Sequence, residues 1–175
     1  LHPNGRLVVT TGSSAVLAVG SELWQNPGQG GAMRVADIIR QKGDGVGTLP
    51  PGATIADAVA ALRTLGVGAV VVSDDDVTVE GILSERDIVR RLDVDGAEVL
   101  DLEVGDLMTT DVVTCGLDAT LADLMSVMTD RRIRHIPVVE DGRLGGLVSI
   151  GDVVKGRLEE LEEERRHLED YITRG

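Results

Sequence analysis

A mixed α/β fold of the α+β kind, made of two similar halves, is what this sequence predicts, and three observations carry the prediction. The segment Thr48-Leu49-Pro50-Pro51-Gly52-Ala53-Thr54-Ile55-Ala56-Asp57 returns 66 residues later as Thr114-Cys115-Gly116-Leu117-Asp118-Ala119-Thr120-Leu121-Ala122-Asp123. Gly81-Ile82-Leu83-Ser84-Glu85-Arg86-Asp87-Ile88-Val89 returns 65 residues later as Gly146-Leu147-Val148-Ser149-Ile150-Gly151-Asp152-Val153-Val154. In both copies short β-branched runs alternate with stretches whose apolar residues recur at helical spacing. A duplicated unit of this size predicts two half-domains packed face to face, with any ligand site at their shared cleft and formed twice.

Each repeat parses as strand, helix, strand, strand, helix, the first over residues 33–98 and the second over 99–158. A short lead-in helix opens each copy, with Val35, Ile38 and Ile39 in one and Val104, Leu107 and Met108 in the other. Strands are expected at 46–49 and 112–115. The helix that follows carries Ile55, Val59, Leu62 and Leu65, matched by Leu121, Met125 and Met128. Thr54 with Asp57, and Thr120 with Asp123, have capping-box spacing, so these carboxylates are read as helix caps and not as catalytic groups. Val70-Val71-Val72 and Ile136-Pro137-Val138-Val139 read as buried strands. An acidic turn follows each, Asp74-Asp75-Asp76 or Glu140-Asp141-Gly142. Neither turn has the ligand spacing of a calcium loop, so no metal is expected there. The last strand of each copy ends at Leu83 or Val148, and a helix begins at once.

Both ends of the chain read differently. Residues 7–11 suit a short strand, but Gly12-Ser13-Ser14 and Asn26-Pro27-Gly28-Gln29-Gly30-Gly31 have linker composition. Met33 stands where the periodic pattern starts, so residues 1–32 are read as a flexible N-terminal extension. Residues 159–175 are read as a charged C-terminal helix. Leu158, Leu161, Leu168 and Ile172, with Arg165 between them, make a heptad stripe that either packs on its own domain or forms a dimer seam. Glu162 and Arg166 are expected to pair on its solvent face.

Charge and composition narrow the partners. The chain has 30 acidic residues against 17 Lys and Arg, a net charge of −13. That field repels nucleic acid and anionic membrane. There is no Phe, and Trp24 and Tyr171 lie outside the repeats, so the repeats offer no rings on which bases could stack. No apolar run reaches the roughly 18 residues of a membrane span. Neither a nucleic-acid nor a membrane partner is expected. The N-terminus does not read as a secretory signal, and the single Cys115 suits a reducing cytoplasm.

Two constellations could carry chemistry. Gly81-x-x-Ser84-x-x-Asp87 and Gly146-x-x-Ser149-x-x-Asp152 each lie where a strand gives way to a helix. Free amides and the positive end of the helix dipole collect there, which suits a phosphate. A carboxylate one turn later can accept from ribose hydroxyls, although Ser-x-x-Asp is equally a capping box. The second constellation, Arg131-Arg132-Ile133-Arg134-His135, has only Leu65-Gly66-Val67-Gly68-Ala69 as its counterpart. Guanidinium groups pair well with phosphate oxygens. Arg134 and His135 are read as phosphate ligands and Arg132 as a surface residue. No catalytic residue and no metal cluster stand out.

On these residues both repeats resemble cystathionine-β-synthase (CBS) domains, and residues 33 to 158 resemble a CBS pair. The duplicated element order, the strand through Pro137-Val138 and the Gly-x-x-Ser-x-x-Asp motif carry the resemblance. It implies two halves related by a pseudo-two-fold axis, with two clefts that bind adenine nucleotides such as AMP, ADP or ATP, or S-adenosylmethionine. It further implies that Ser84 and Ser149 meet phosphate and that Asp87 and Asp152 meet ribose. Thr48 and Thr114 match positions that line base and sugar, Arg134 and His135 resemble a phosphate-contacting pair, and Arg86 is a further phosphate candidate. With no rings to hand, adenine would lie between Val46, Ile82, Val112 and Ile136, with Pro137 in the same strand. The two clefts are expected to differ in affinity. The resulting expectation is a non-enzymatic, homodimeric regulatory module with an adenine nucleotide as regulatory ligand and no other cofactor, signalling to an unknown regulated protein. The alternative is a structural interaction module that binds no nucleotide.

Overall fold

The computed structural model describes residues 9–11, 14–18, 32–43 and 45–174. Strands β1 (Val9–Thr11) and β2 (Ser14–Ala18) form an antiparallel pair ahead of the repeats. After helix α1 (Val35–Lys42) comes strand β3 (Thr48–Leu49), then helix α2 (Ile55–Leu65). Strands β4 (Ala69–Val72) and β5 (Gly81–Ser84) and helix α3 (Glu85–Asp95) complete the first half. Strand β3 runs parallel to β4, and β4 antiparallel to β5. A 3-10 stretch, Gly96–Asp101, leads into the second half: α4 (Val104–Leu107), β6 (Val113–Thr114), α5 (Leu121–Arg131), β7 (His135–Glu140), β8 (Arg143–Ser149) and α6 (Ile150–Arg174). Here β7 and β8 form an antiparallel hairpin. Cys115, just past β6, donates its amide to Pro137 O at 3.0 Å and accepts from Val139 N at 2.8 Å, so the chain lies on β7 as β3 lies on β4.

The caps are built as their spacing requires. Thr54 Oγ1 accepts from Asp57 N at 3.1 Å, and Asp57 Oδ2 accepts from Thr54 N at 3.1 Å. Thr120 Oγ1 likewise accepts from Asp123 N, at 3.3 Å. Helix α2 ends at Gly66 in the left-handed region, with φ 65°. The equivalent end of α5 is Arg132 with φ 56°, where a side chain bears a strain that glycine avoids. The acidic turn after β4 is a closed hydrogen-bonded loop, in which Asp75 accepts from Val77 N at 2.9 Å and from Thr78 N at 2.6 Å. Those amides, Thr78 first, hold the Asp75 carboxyl well below the usual range. Among the described residues no group of acidic, His or Cys side chains could hold a metal.

Four features differ from the sequence reading. The strands expected at 46–49 and 112–115 shrink to Thr48–Leu49 and Val113–Thr114. Helix α2 buries Ile55, Ala58 and Leu62 and leaves Val59 and Leu65 exposed. Helix α5 buries Leu121, Leu124 and Met128 in the same way, so the inward row is i, i+3, i+7 and Met125 sits at its margin. The stretch read as a flexible extension holds β1 and β2, and β2 pairs parallel with β6 through Leu17 opposite Val113 and Ala18 opposite Thr114. Strand β6 has a free edge on that side, and an unpaired edge accepts another strand. The other residues of 1–31 lie outside the described residues. Finally, the helix of the second motif and the charged C-terminal helix are one uninterrupted α6. Within it Arg166 Nε donates to the Glu162 carbonyl at 3.3 Å, not to its carboxylate, since an exposed ion pair adds little to hold that geometry.

The cores do not follow the repeats. Val35 and Ile38 of α1 pack with Leu121, Leu124, Ile136, Val138 and Val148 of the second half. Val99 and Val104 pack with Ile55, Leu62, Val70 and Leu83 of the first. Each repeat thus gives its lead-in helix to the other's core. Backbone hydrogen bonds fasten both crossings in the same way. Val35 N donates to Ala119 O at 2.9 Å and Val104 N to Ala53 O at 2.8 Å. Ile55 N donates to Leu102 O at 2.9 Å and Leu121 N to Met33 O at 3.3 Å. Val35 and Val104 are fully buried, each contributing about 1.5–3 kcal/mol. A third cluster, centred on Val71, Val79 and Val112, joins the two sheets.

The exchange explains the first glycine of each motif. A Cβ on Gly81 would lie 2.5 Å from Met108 Sδ and 3.1 Å from Thr109 O, while one on Gly146 would collide with Ile39 Cδ1. Met108 and Ile39 are equivalent residues of the two lead-in segments. Gly81→Ala is therefore expected to destabilise the fold by roughly 1–3 kcal/mol, because backbone as well as side chain must move. Gly146→Ala should cost less, since only the end of an isoleucine has to turn. Denaturant midpoints of the two variants check that order.

Candidate functional site

The strand-to-helix junctions β5–α3 and β8–α6 carry the paired Ser-x-x-Asp motifs. At the first, Asp87 Oδ2 accepts from Ser84 N at 3.0 Å and from Ser84 Oγ at 2.5 Å. At the second, Asp152 Oδ2 accepts from Ser149 N and from Ser149 Oγ, both at 2.8 Å, and Ser149 Oγ accepts from Asp152 N at 3.2 Å. Both motifs are capping boxes in this state.

The junctions are brought together across the two halves. Glu85 N donates to Gly68 O at 3.1 Å, and Ile150 N donates to Arg134 O at 2.8 Å, so equivalent strand ends cap equivalent helices. A Cβ on Gly68 would stand 3.3 Å from His135 Cε1 and 3.6 Å from Glu85 Oε2. The imidazole of the second half therefore rests on the glycine of the first, beside a carboxylate of the first. Arg86 reaches the same place, with Nη1 3.5 Å from Arg132 O. The His135 contact sets the basic residue of the second copy against the glycine of the first. A long side chain at residue 68 would displace the His135 ring.

Lys42, absent from the sequence reading, completes the second junction. It is the last residue of α1, delivered by the helix exchange. Its Nζ lies 2.9 Å from Asp152 Oδ2 and donates to Leu147 O at 3.2 Å. The second repeat's lead-in helix, which crosses to the first half, ends at Leu107 and is followed by Thr109, Thr110 and Asp111 instead. Burial pushes the Asp152 carboxyl up, but the Ser149 amide, the Lys42 ammonium and the Ser149 hydroxyl together hold it below its ordinary value. Burial pushes the His135 imidazole below its ordinary 6.5, and the Lys42 ammonium adds to this against the pull of Asp152 and Glu85.

The remaining residues singled out from the sequence are dispersed. Thr48 is half-buried, and its hydroxyl donates to the Asp76 carboxylate at the acidic turn. Thr114 is buried in β6. Val46, Ile82 and Val112 do meet, packed with Val71 and Val79 between the sheets. Ile136 lies elsewhere, fully buried in the core of the second half, and Pro137 is buried beside it with its carbonyl taken by Cys115 N. The structure thus gathers Arg86, His135, Ser149 and Asp152, with Lys42 and Glu85, around the α3 and α6 N-termini. Arg134 stands exposed beside them. Cys115 is buried, and its thiol is pushed up to about 12 by burial, with Asp118 and Glu140 adding to it, which removes it as a nucleophile. A cavity of about 220 Å³ between α1 and α6 touches Ile38, Lys42, Asp152, Lys155 and Glu159. It is smaller than the ~300–1,000 Å³ of typical small-molecule pockets.

Comparison with known proteins places this arrangement. A family model described as the CBS domain matches the chain twice, over residues 35–94 and 104–159. The chain is 40% identical over 126 residues to the CBS domain-containing protein CBSX3, mitochondrial, of Arabidopsis thaliana, over 70% of this chain and 61% of that protein. This chain therefore corresponds to less than two thirds of that relative's length. A solved structure of a CBS-domain containing protein from Agrobacterium tumefaciens superposes with a TM-score of 0.71 at 44% identity, over 76% of this chain and 99% of that one. The CBS domain pair of protein MJ0100, solved with 5′-methylthioadenosine and S-adenosyl-L-methionine, superposes with a TM-score of 0.63, over 71% of this chain and 94% of that one. At 22% identity the likeness to MJ0100 is one of fold.

The Lys42 contact has a spectroscopic consequence. His135 should titrate below 6.5 in proton NMR, and Lys42→Met should move its midpoint up, because the nearby ammonium is gone. Unfolded histidine takes up its proton first, so stability should fall as the pH drops through 6.5 towards the folded value. That loss should shrink in Lys42→Met.

Proposed function

Because the chain belongs to the CBS-domain family, we propose that it is a regulatory module whose clefts take an adenosyl ligand, AMP, ADP, ATP or a relative, and pass occupancy to a partner protein. The observation that carries this reading is the meeting of two helix N-termini, each headed by Ser-x-x-Asp, with Arg86, Lys42, Arg134 and His135 around them. Helix N-termini and cations attract phosphate, and a carboxylate that now accepts from its own serine has the chemistry to accept from ribose hydroxyls. The adenosyl compounds named for MJ0100 supply the ligand class. The second junction is the stronger phosphate site, since Lys42, crossing from the first half, and the basic pair all stand at it.

The reading is regulatory and not catalytic. The matching family model describes a domain and not an activity, the lone thiol is buried, and the Asp87 and Asp152 carboxylates at the junctions are tied into caps. Among the described residues no helix is long and apolar enough to cross a membrane. We place the protein in a reducing compartment such as the cytoplasm, acting as a homodimer. One observation favours an interaction module without nucleotide: Asp152 already has Ser149 and Lys42 as partners. A ligand must displace at least one of them.

Calorimetry against AMP, ADP, ATP, S-adenosylmethionine and adenosine decides between the two. Binding at a hundred times the dissociation constant adds about 2.7 kcal/mol to stability, a rise of roughly 5–10 °C in Tm for a chain of this size. No heat and no shift with any of the five establishes the interaction module instead.

Charge at the second junction should also be read out by ligand type. Arg134→Gly with His135→Ala should weaken ATP by about tenfold or more, at roughly 1.5–3 kcal/mol per charge-assisted bond lost. Adenosine should be nearly unaffected, and the salt dependence of ATP binding should flatten. Equal loss for both ligands would mean that the pair shapes the cleft and does not read phosphate.

A further inference from the structure

Helix α6 has two faces with different surroundings. Val153 and Gly156 are buried against the domain, and the Glu160 carboxylate accepts the Met33 amide. At 3.6 residues per turn a separate face carries Val154, Leu158, Leu161, Arg165, Leu168 and Ile172. Its apolar members are 44%, 57%, 46%, 59% and 77% exposed. From Leu161 to Thr173 every residue is exposed, so α6 leaves the body of the protein and stands in solvent for more than three turns. A helix of about 12–15 residues is marginal by itself, and an apolar stripe of this kind normally faces a partner.

We propose that the stripe is covered by the same stripe of a second copy of this chain, the two helices running antiparallel and centred near Glu163. Charge selects the direction. In a parallel pair residues of like number meet, which puts Arg165 against Arg165 in the seam and Glu164 beside Glu169 of the second copy. In the antiparallel pair the layers are Val154 with Ile172, Leu158 with Leu168, and Leu161 with Arg165, each formed twice. All six stripe positions then have a stripe partner. Arg165 lies over a leucine with its guanidinium next to Glu162 of the second copy, and Lys155 flanks Glu169. The like charges that remain, Glu162 and Glu164 near their own copies at the centre, have the two Arg165 groups beside them. In the single chain Arg165 leans only loosely on its own Glu169, at 3.8 Å, and is free to turn.

This seam stands whether or not the clefts bind nucleotide. It also adjoins them, because the end of the second helix lies beside Val154, two residues from Asp152.

Cross-linking of the full chain tests orientation and register together. Leu158→Cys and Leu168→Cys chains, mixed under mild oxidation, should give a covalent heterodimer, while Leu158→Cys alone should not. Cys115 stays out of the reaction, being buried. Disulfide formation by Leu158→Cys alone, without the mixed product, overturns the antiparallel arrangement. Independently, Leu161→Asp with Leu168→Asp should halve the mass seen by light scattering without changing the melting of the body, since both side chains are exposed. An unchanged mass places the contact on another face and overturns the proposal.

Discussion

The reciprocal exchange of lead-in helices is the constraint on which the rest of this structure depends. Neither half has a complete core of its own. The second needs Val35 and Ile38 from the front of the first, and the first needs Val99 and Val104 from the front of the second. The same backbone hydrogen bonds recur at both crossings, through Val35 to Ala119 and Val104 to Ala53. The halves therefore cannot separate without opening two cores at once, and the chain folds as one cooperative unit. The glycine that opens each motif belongs to this arrangement. It is the space that the other half's Met108 or Ile39 occupies.

The exchange also furnishes the candidate site. Crossing over carries Lys42 from one end of the repeat region to Asp152 at the other, 110 positions away. It brings together two helix N-termini whose dipoles and capping serines attract anions. Three cations, Lys42, Arg86 and Arg134, thereby gather beside Glu85, Asp87 and Asp152 on a chain whose net charge is −13. Lys42, Asp152, Ser149 and His135 act as one electrostatic group, since the ammonium lowers both the carboxyl and the imidazole. A phosphate arriving there would meet a cation already held in place, and its cost would be the loss of the Lys42–Asp152 pair.

Near symmetry is broken where the halves touch. Gly68 and Arg134 are equivalent by position, but a side chain at residue 68 would press on the His135 ring, which lies on Gly68. Gly66 and Arg132 close equivalent helices with the same left-handed turn, at φ 65° and 56°. Arg132 then offers its carbonyl to Arg86. Duplication thus made two similar junctions, and packing at the axis between them allows them different charge.

The sequence by itself determined the duplicated plan, the element order, the helix caps at Thr54 and Thr120, and the location of both motifs at strand-to-helix junctions. These are legible because they rest on local rules of period, cap chemistry and turn residues, which act over a few neighbouring positions. It also exposed the acidic field and the basic run. Tertiary structure alone decided that the lead-in helices cross over, that Lys42 reaches Asp152, and that Ile136 belongs to the core while Val46, Ile82 and Val112 line the space between the sheets. It also decided that β2 joins β6 and that α6 runs unbroken into solvent. The physical reason is common to all of these. A hydrophobic face states that it must be buried but not against what, and a lysine states its charge but not its partner, until the chain closes on itself.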